Sequence, residues 1–158
     1  MPLTPNEREA LIAKLEALPA QLRELIAGAT DEQLARPYRE GGWTSFQVIH
    51  HLADSHMQMF VRAHLIITED NPPLKPYSQD EWAKLTDAAG QPIEPSLKII
   101  EGVHERLVAL YRSLPESAWR RTAYHPERGP LSLESLLELY AGHGEKHLGH
   151  IRQGIGRA

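Results

Sequence analysis

The chain has 158 residues, a formal charge of −4, nine histidines and no cysteine. A length inside the ~100–200 residue range of one domain predicts a single domain over residues 1–158, large enough to bury a core without staples. The absent cysteine excludes disulfides, thiolate metal sites, iron–sulfur clusters and a cysteine nucleophile, so any metal is held by histidine or carboxylate. No basic stripe points to nucleic acid, and no apolar run reaches the ~18 residues of a membrane span. The N-terminus, MPLTPNEREA, lacks the apolar core of a signal peptide, which makes a cytoplasmic protein the expectation.

Helical signals run along nearly the whole chain. Thr4, Pro5 and Glu7 form a start signal: a cap, a proline in the first turn and a capping-box glutamate. Leu11, Leu15, Leu18, Leu22 and Leu25 then recur at helical spacing, with Pro19 as a predicted kink or division. Thr30 and Gln33 open a short second piece that Pro37 ends, and Gly41-Gly42 make a turn. Thr44 with Gln47 caps a long helix predicted to run to about Thr68. The segment from Asn71 to Pro95 cannot continue it, because Pro72, Pro73 and Pro76 remove amide donors and fix φ. One helical turn is expected there, around Asp80–Lys84. A segment this long either covers the end of the bundle, burying Tyr77 and Trp82, or serves as a wall or lid over a pocket or as a dimer contact.

A third long helix is predicted from about Ser96 to Arg112, with Ile100, Val103, Leu107, Leu110 and Leu114 on its apolar face. Residues 121–130 are rich in turn formers and predict a loop. Ser132 caps a fourth long helix from Leu133 to about Gln153. Four long helices, no strand and no repeat predict an all-α four-helix bundle with a long crossover loop.

The histidines separate by helical phase. On the second long helix, His51 falls on the flank of the apolar face, in line with Ser55 and Arg62, and His56 lies within that face. His50 and His64 point away and are expected at the surface. On the fourth, His143, His147 and His150 share one flank. Two histidines four residues apart on a helix converge on one ion. Together with His51 they make three neutral imidazoles with an open fourth position, the pattern of a catalytic rather than a structural metal site. The alternative for each is a hydrogen-bonded structural histidine. Glu101 and His104 have the Glu-x-x-His spacing of di-iron bundles, but no second copy exists, so a partly solvated flank is expected there.

Several blocks then carry a family resemblance. They are Gly41-Gly42-Trp43-Thr44, His50-His51-Leu52-Ala53-Asp54-Ser55-His56-Met57, Leu65 through Pro72, Lys75-Pro76-Tyr77, Glu81-Trp82-Ala83, Tyr124-His125-Pro126-Glu127, and Tyr140 through Ile151. In this order the chain resembles the DinB/YfiT-like family of metalloproteins, in its YfiT branch of metal-dependent hydrolases and bacillithiol S-transferases. The resemblance implies a DinB/YfiT-like four-helix bundle that holds one divalent ion, zinc or nickel, on His51, His143 and His147. It implies a homodimer as well. The last block departs from the branch at Glu145-Lys146 and at Gly142, where an aromatic is usual. The smaller Gly142 is expected to widen the site.

The expected activity is S-transfer. A low-molecular-weight, bacillithiol-like thiol would be ionised at the metal and attack a small electrophile, in a stress or detoxification role. Arg62 is the candidate for a carboxylate of that thiol, or else a surface ion pair. Tyr140 and His150 are candidates to orient His143 and His147. The alternative is a hydrolase using metal-activated water, with Asp54 or Glu145 as base. A third possibility is a non-catalytic metal-binding stress protein. His125 is a candidate for the pocket rim.

Overall fold

The computed structural model describes residues 1–157. Its long helices are α1 (Pro5–Ile26), α3 (Ser45–Thr68), α5 (Glu94–Ser113) and α6 (Leu133–Gly154), with short helices α2 (Asp31–Leu34) and α4 (Gln79–Ala83) between them. α1 packs on α6 and α5, and α3 packs on the same two helices, which closes a four-helix bundle with α1/α3 and α5/α6 as its diagonals. Ridges of apolar side chains fill the space between them.

Local chemistry sets the helix starts. Capping boxes at Thr4/Glu7, Thr30/Gln33 and Thr44/Gln47 satisfy the first amides of α1, α2 and α3. Ser132 accepts from Ser135 N and opens α6. α1 buries Ile12, Leu15, Leu18, Leu22 and Ile26, while Leu11 and Leu25 lie at the margin of that stripe. Fully burying such a leucine is worth roughly 1.5–3 kcal/mol. Pro19 does not divide the helix; α1 runs through it. Gly144 faces α1 so closely that a Cβ there would come within 3.0 Å of a Leu18 methyl, which lets α1 and α6 approach at the level of the histidines.

The structure corrects several of these expectations. Residues 121–130 are not a loop: β1 (Thr122–His125) and β2 (Gly129–Ser132) pair antiparallel. The strands are only four residues long, and Pro130 masks the strand signal. The other edge of β1 is stitched to the proline-rich segment by Leu74 N to Tyr124 O at 2.8 Å and Tyr124 N to Pro72 O at 3.0 Å. His50 is not at the surface. It is buried, with Nδ1 2.7 Å from Ser96 Oγ and Nε2 2.7 Å from Gly90 O, so the segment before α5 closes over it. His104 is not a solvated flank either; it is 1 % exposed and sits in the bundle core. His64 is half-buried, its Nδ1 donating to Phe60 O within its own helix.

The segment from 69 to 93 links α3 to its neighbour α5. It holds α4 and a 3₁₀ turn (Thr86–Ala88), and it buries Leu74, Ala83 and Ala88. Tyr77 and Trp82 pack on each other, with ring centroids 4.7 Å apart.

Candidate metal centre

His51 on α3 and His143 and His147 on α6 meet where those two helices pack. One ring nitrogen from each lies within 4.8 Å of the other two. His51 Nε2 and His143 Nε2 are 3.0 Å apart. The His51 ring lies edge-on to both partners, with centroid separations of 5.1 Å to His143 and 4.8 Å to His147. Among the described residues this is the one histidine or carboxylate cluster gathered closely enough to hold an ion.

Burial keeps these imidazoles neutral. Desolvation, the largest cause in each case, pulls His51 down to about 4, His143 to about 3 and His147 to about 2. The mutual repulsion of the rings adds to this for His143 and His147, while Asp80 opposes it weakly at His51. The donor set therefore fits a divalent first-row ion: three unprotonated nitrogens, converging, with no thiolate.

Surrounding groups hold the rings. Trp43 lies edge-on to His51, with centroids 4.8 Å apart, and is stacked over His147 at 6.5 Å. His150 places Nδ1 3.2 Å from His147 Nδ1, and its other side is stacked on Tyr38 at 4.0 Å. Tyr140 does not hydrogen-bond either α6 histidine. Its ring contacts His56 and His143, and its hydroxyl accepts from Arg62 at 3.0 Å. Gly142 points outward with nothing near it, so it does not widen the site.

Two recesses open beside the cluster. A cleft of about 530 Å³ is lined by His143, His147, His150, Trp43, Asp80 and three cations, Arg39, Arg128 and Lys146. None of the three cations is in an ion pair among the described residues. A smaller recess of about 140 Å³ adjoins it, lined by Arg62, Ser55, Tyr77, His125, Arg128 and His143 among others. Arg62 is 8 % exposed; it donates to Tyr140 Oη and to Lys75 O, and among the described residues it pairs with no acid and its Nε has no partner. The surface ion pair is thus ruled out for Arg62. His125 is buried in the recess wall, where its Nδ1 accepts from Glu127 N at 3.2 Å.

Other candidates lie elsewhere. Glu145 pairs with Lys14 at 3.0 Å on the outer face of α6. Asp54 sits among Asp87, His50 and Tyr77, and burial raises its carboxyl to about 6. Glu101 is bound by Arg23 and does not join His104 in a metal site. Sequence patterning missed Tyr38, Arg39, Asp80, Arg128 and Lys146, which chain folding brings to the cleft from four separate segments.

The model of the DinB superfamily matches residues 14–151. A Geobacillus kaustophilus protein named "Putative metal-dependent hydrolase" is 46% identical over 148 residues, covering 92% of this chain and 83% of that protein. The solved structure of Bacillus subtilis YfiT, described as "a probable metal-dependent hydrolase with an unusual four-helix bundle topology", superposes with a TM-score of 0.93. It is 36% identical and covers 99% of this chain and 91% of its own. A mycothiol-dependent maleylpyruvate isomerase shares the fold, with a TM-score of 0.71 at 16% identity, covering 91% of this chain and 60% of its own.

Proposed function

The chain belongs to the DinB superfamily, and on that footing we propose that it is a divalent-metal-dependent S-transferase that uses a small anionic thiol against electrophiles. His51, His143 and His147 are the ligands in this reading, with zinc or nickel as the ion. When bound, the ion would supply Lewis acidity that favours loss of the thiol proton to solvent near neutral pH. The rest falls to the protein's own side chains. Arg39, Arg128 and Lys146 draw an anionic cosubstrate into the cleft. Arg62 accepts its carboxylate, since the guanidinium is buried, lacks a counter-ion and keeps a free Nε. Trp43 and Tyr38 keep His147 and His150 in place and narrow the access of water. The thiolate sulfur forms a bond to carbon of the electrophile, and a halide leaves or an epoxide oxygen opens and takes a proton from solvent.

The observation that carries the proposal is the uncompensated positive charge around three neutral imidazoles. A site built only to polarise water for a neutral ester does not call for four unpaired cations. A second reading, metal-dependent hydrolysis, is favoured by Asp80, the one carboxylate on the cleft wall, which could take a proton from water. The names of the relatives point the same way.

The experiment loads the full chain with Zn²⁺ and, separately, Ni²⁺. It then offers a panel of anionic and neutral thiols with one generic halide electrophile. S-transfer predicts product only with thiol, faster with thiols that bear a carboxylate, and none after chelation. Chelator-sensitive cleavage of an ester without thiol would establish the hydrolase instead.

A further inference from the structure

Pro19 lies inside α1, one turn beyond Leu15. In an α-helix the amide of residue 19 would bond to the carbonyl of residue 15, but proline has no amide hydrogen. The Leu15 carbonyl is therefore released from the helical ladder at a buried position, where it must find another donor. The donor comes from α5: His104 Nδ1 lies 2.6 Å from Leu15 O.

This one contact fixes the direction of two more. A carbonyl oxygen only accepts, so His104 carries its proton on Nδ1, and in the neutral ring Nε2 then holds a lone pair. His56 Nδ1 lies 2.6 Å from that Nε2 and must donate to it. His56 Nε2 is left as an acceptor, and His143 Nδ1, 3.1 Å away, donates in turn. The proton of His143 is then on Nδ1, and its Nε2 presents a lone pair toward His51 Nε2. Both intermediate rings are buried, with no carboxylate hydrogen-bonded to either. A buried imidazolium with no acid beside it is costly, so each ring is counted neutral, with one proton.

We propose that His104 and His56 are positioning residues that lock the tautomer and ring orientation of His143, so that its Nε2 lone pair faces the metal position. The relay starts at the carbonyl freed by Pro19 and crosses the bundle from α1 through α5 and α3 to α6. A metal-bound histidine ordinarily donates its second nitrogen to a carboxylate, a carbonyl or water. Here two imidazoles carry that role inward, and the final acceptor is a main-chain carbonyl. His147 has His150 behind its Nδ1 at 3.2 Å, but among the described residues only His143 is tied through further rings to a main-chain carbonyl. The inference rests on the assignment of His143 as a ligand, but the tautomer belongs to the metal-free protein and is measured there.

The test uses the full-length, ¹⁵N-labelled, metal-free protein and long-range ¹H–¹⁵N spectra that separate the two ring nitrogens. His143 should be protonated on Nδ1. In His104→Leu the acceptor for His56 is gone, and His143 should lose that preference. Zn²⁺ affinity, read by competition with a chromophoric chelator, should fall about 10–100-fold. His104→Gln retains an acceptor facing His56 and should recover most of the loss, which a purely space-filling role for His104 would not predict. Wild-type protein that binds zinc but carries the His143 proton on Nε2 before loading overturns the proposal alone. A folded His104→Leu with unchanged zinc affinity does the same. Wild-type protein that binds no zinc overturns the metal assignment, and the proposal with it.

Discussion

Two clefts of the bundle, similar in size, differ in what their charges do. The first, about 580 Å³, lies between α1 and α5 and is lined by Arg23, Glu101, Glu105 and Arg112 with Pro19 and His104 at its floor. Both its arginines are committed. Arg23 holds Glu94 and Glu101, and Arg112 holds Glu9 and Glu16. Those bonds raise both guanidinium pKa values further above their ordinary range. The second cleft, about 530 Å³, has Arg39, Arg128 and Lys146 beside buried imidazoles, with no such pairing among the described residues. Compensated charge ties neighbouring helices together; charge left uncompensated beside a concentration of lone pairs is available to a ligand. Cleft size alone does not separate the two.

The contrast breaks most sharply under chelation. Removing metal from the second cleft should abolish thiol-dependent turnover, and adding Zn²⁺ back should restore it. Arg112→Ala in the first cleft should leave turnover untouched and cost no more than about 1 kcal/mol of stability, the range of exposed ion pairs. Activity assays with denaturant curves check both halves.

A smaller effect is expected at Arg62. Arg62→Gln keeps a donor but loses the charge, and a hydrogen bond to a charged group is worth roughly 1.5–3 kcal/mol. KM for a carboxylate-bearing thiol should therefore rise about 10–100-fold, with metal content unchanged and little effect on a thiol without a carboxylate. An equal loss with both thiols would place Arg62 in the structure rather than in substrate binding.

Asp54 tests the cost of uncompensated charge away from either cleft. Burial and the neighbouring Asp87 raise its carboxyl to about 6, above the ordinary value of 3.8. The folded state thus binds this proton more tightly than the unfolded chain does. The stability it contributes is full below about 3.8 and is lost as the pH rises through about 6. Asp54→Asn should flatten that part of the pH–stability curve. It should raise stability above pH 6 by about 1 kcal/mol, allowing for the partial exposure of the group. A variant as pH-dependent as the wild type between those values would contradict the assignment.

The smallest effect is expected from Pro19→Ala. It returns an amide to α1, so the melting temperature should rise, while zinc affinity should fall by less than in His104→Leu. The Leu15 carbonyl has two lone pairs and can accept from both donors.

Helix starts were legible because capping is local: Thr4, Thr44 and Ser132 each announce themselves within four residues. The flank shared by His143 and His147, and the aim of His51, followed from helical phase. His104 was legible in principle, since Leu97, Ile100, His104, Leu107 and Tyr111 are buried at helical spacing. Tracing the face through Val103 and Leu110 hid it. His50 was not legible, because the Gly90–Ser96 stretch that closes over it is placed by the bundle, not by its own sequence. The same holds for the Arg62 recess, which needs the hairpin, the proline-rich segment and two helices at once. Pro19 read as a helix breaker, whereas in the structure its missing amide frees the acceptor on which three histidines depend.

His51, His143 and His147 are together expected to hold the ion on which activity depends. Elemental analysis of the purified full chain, beside His51→Ala, His143→Ala and His147→Ala, tests it most directly. One divalent ion per wild-type chain, lost in each variant while the circular dichroism stays helical, is the predicted result. Full metal occupancy in any of the three folded variants would contradict it.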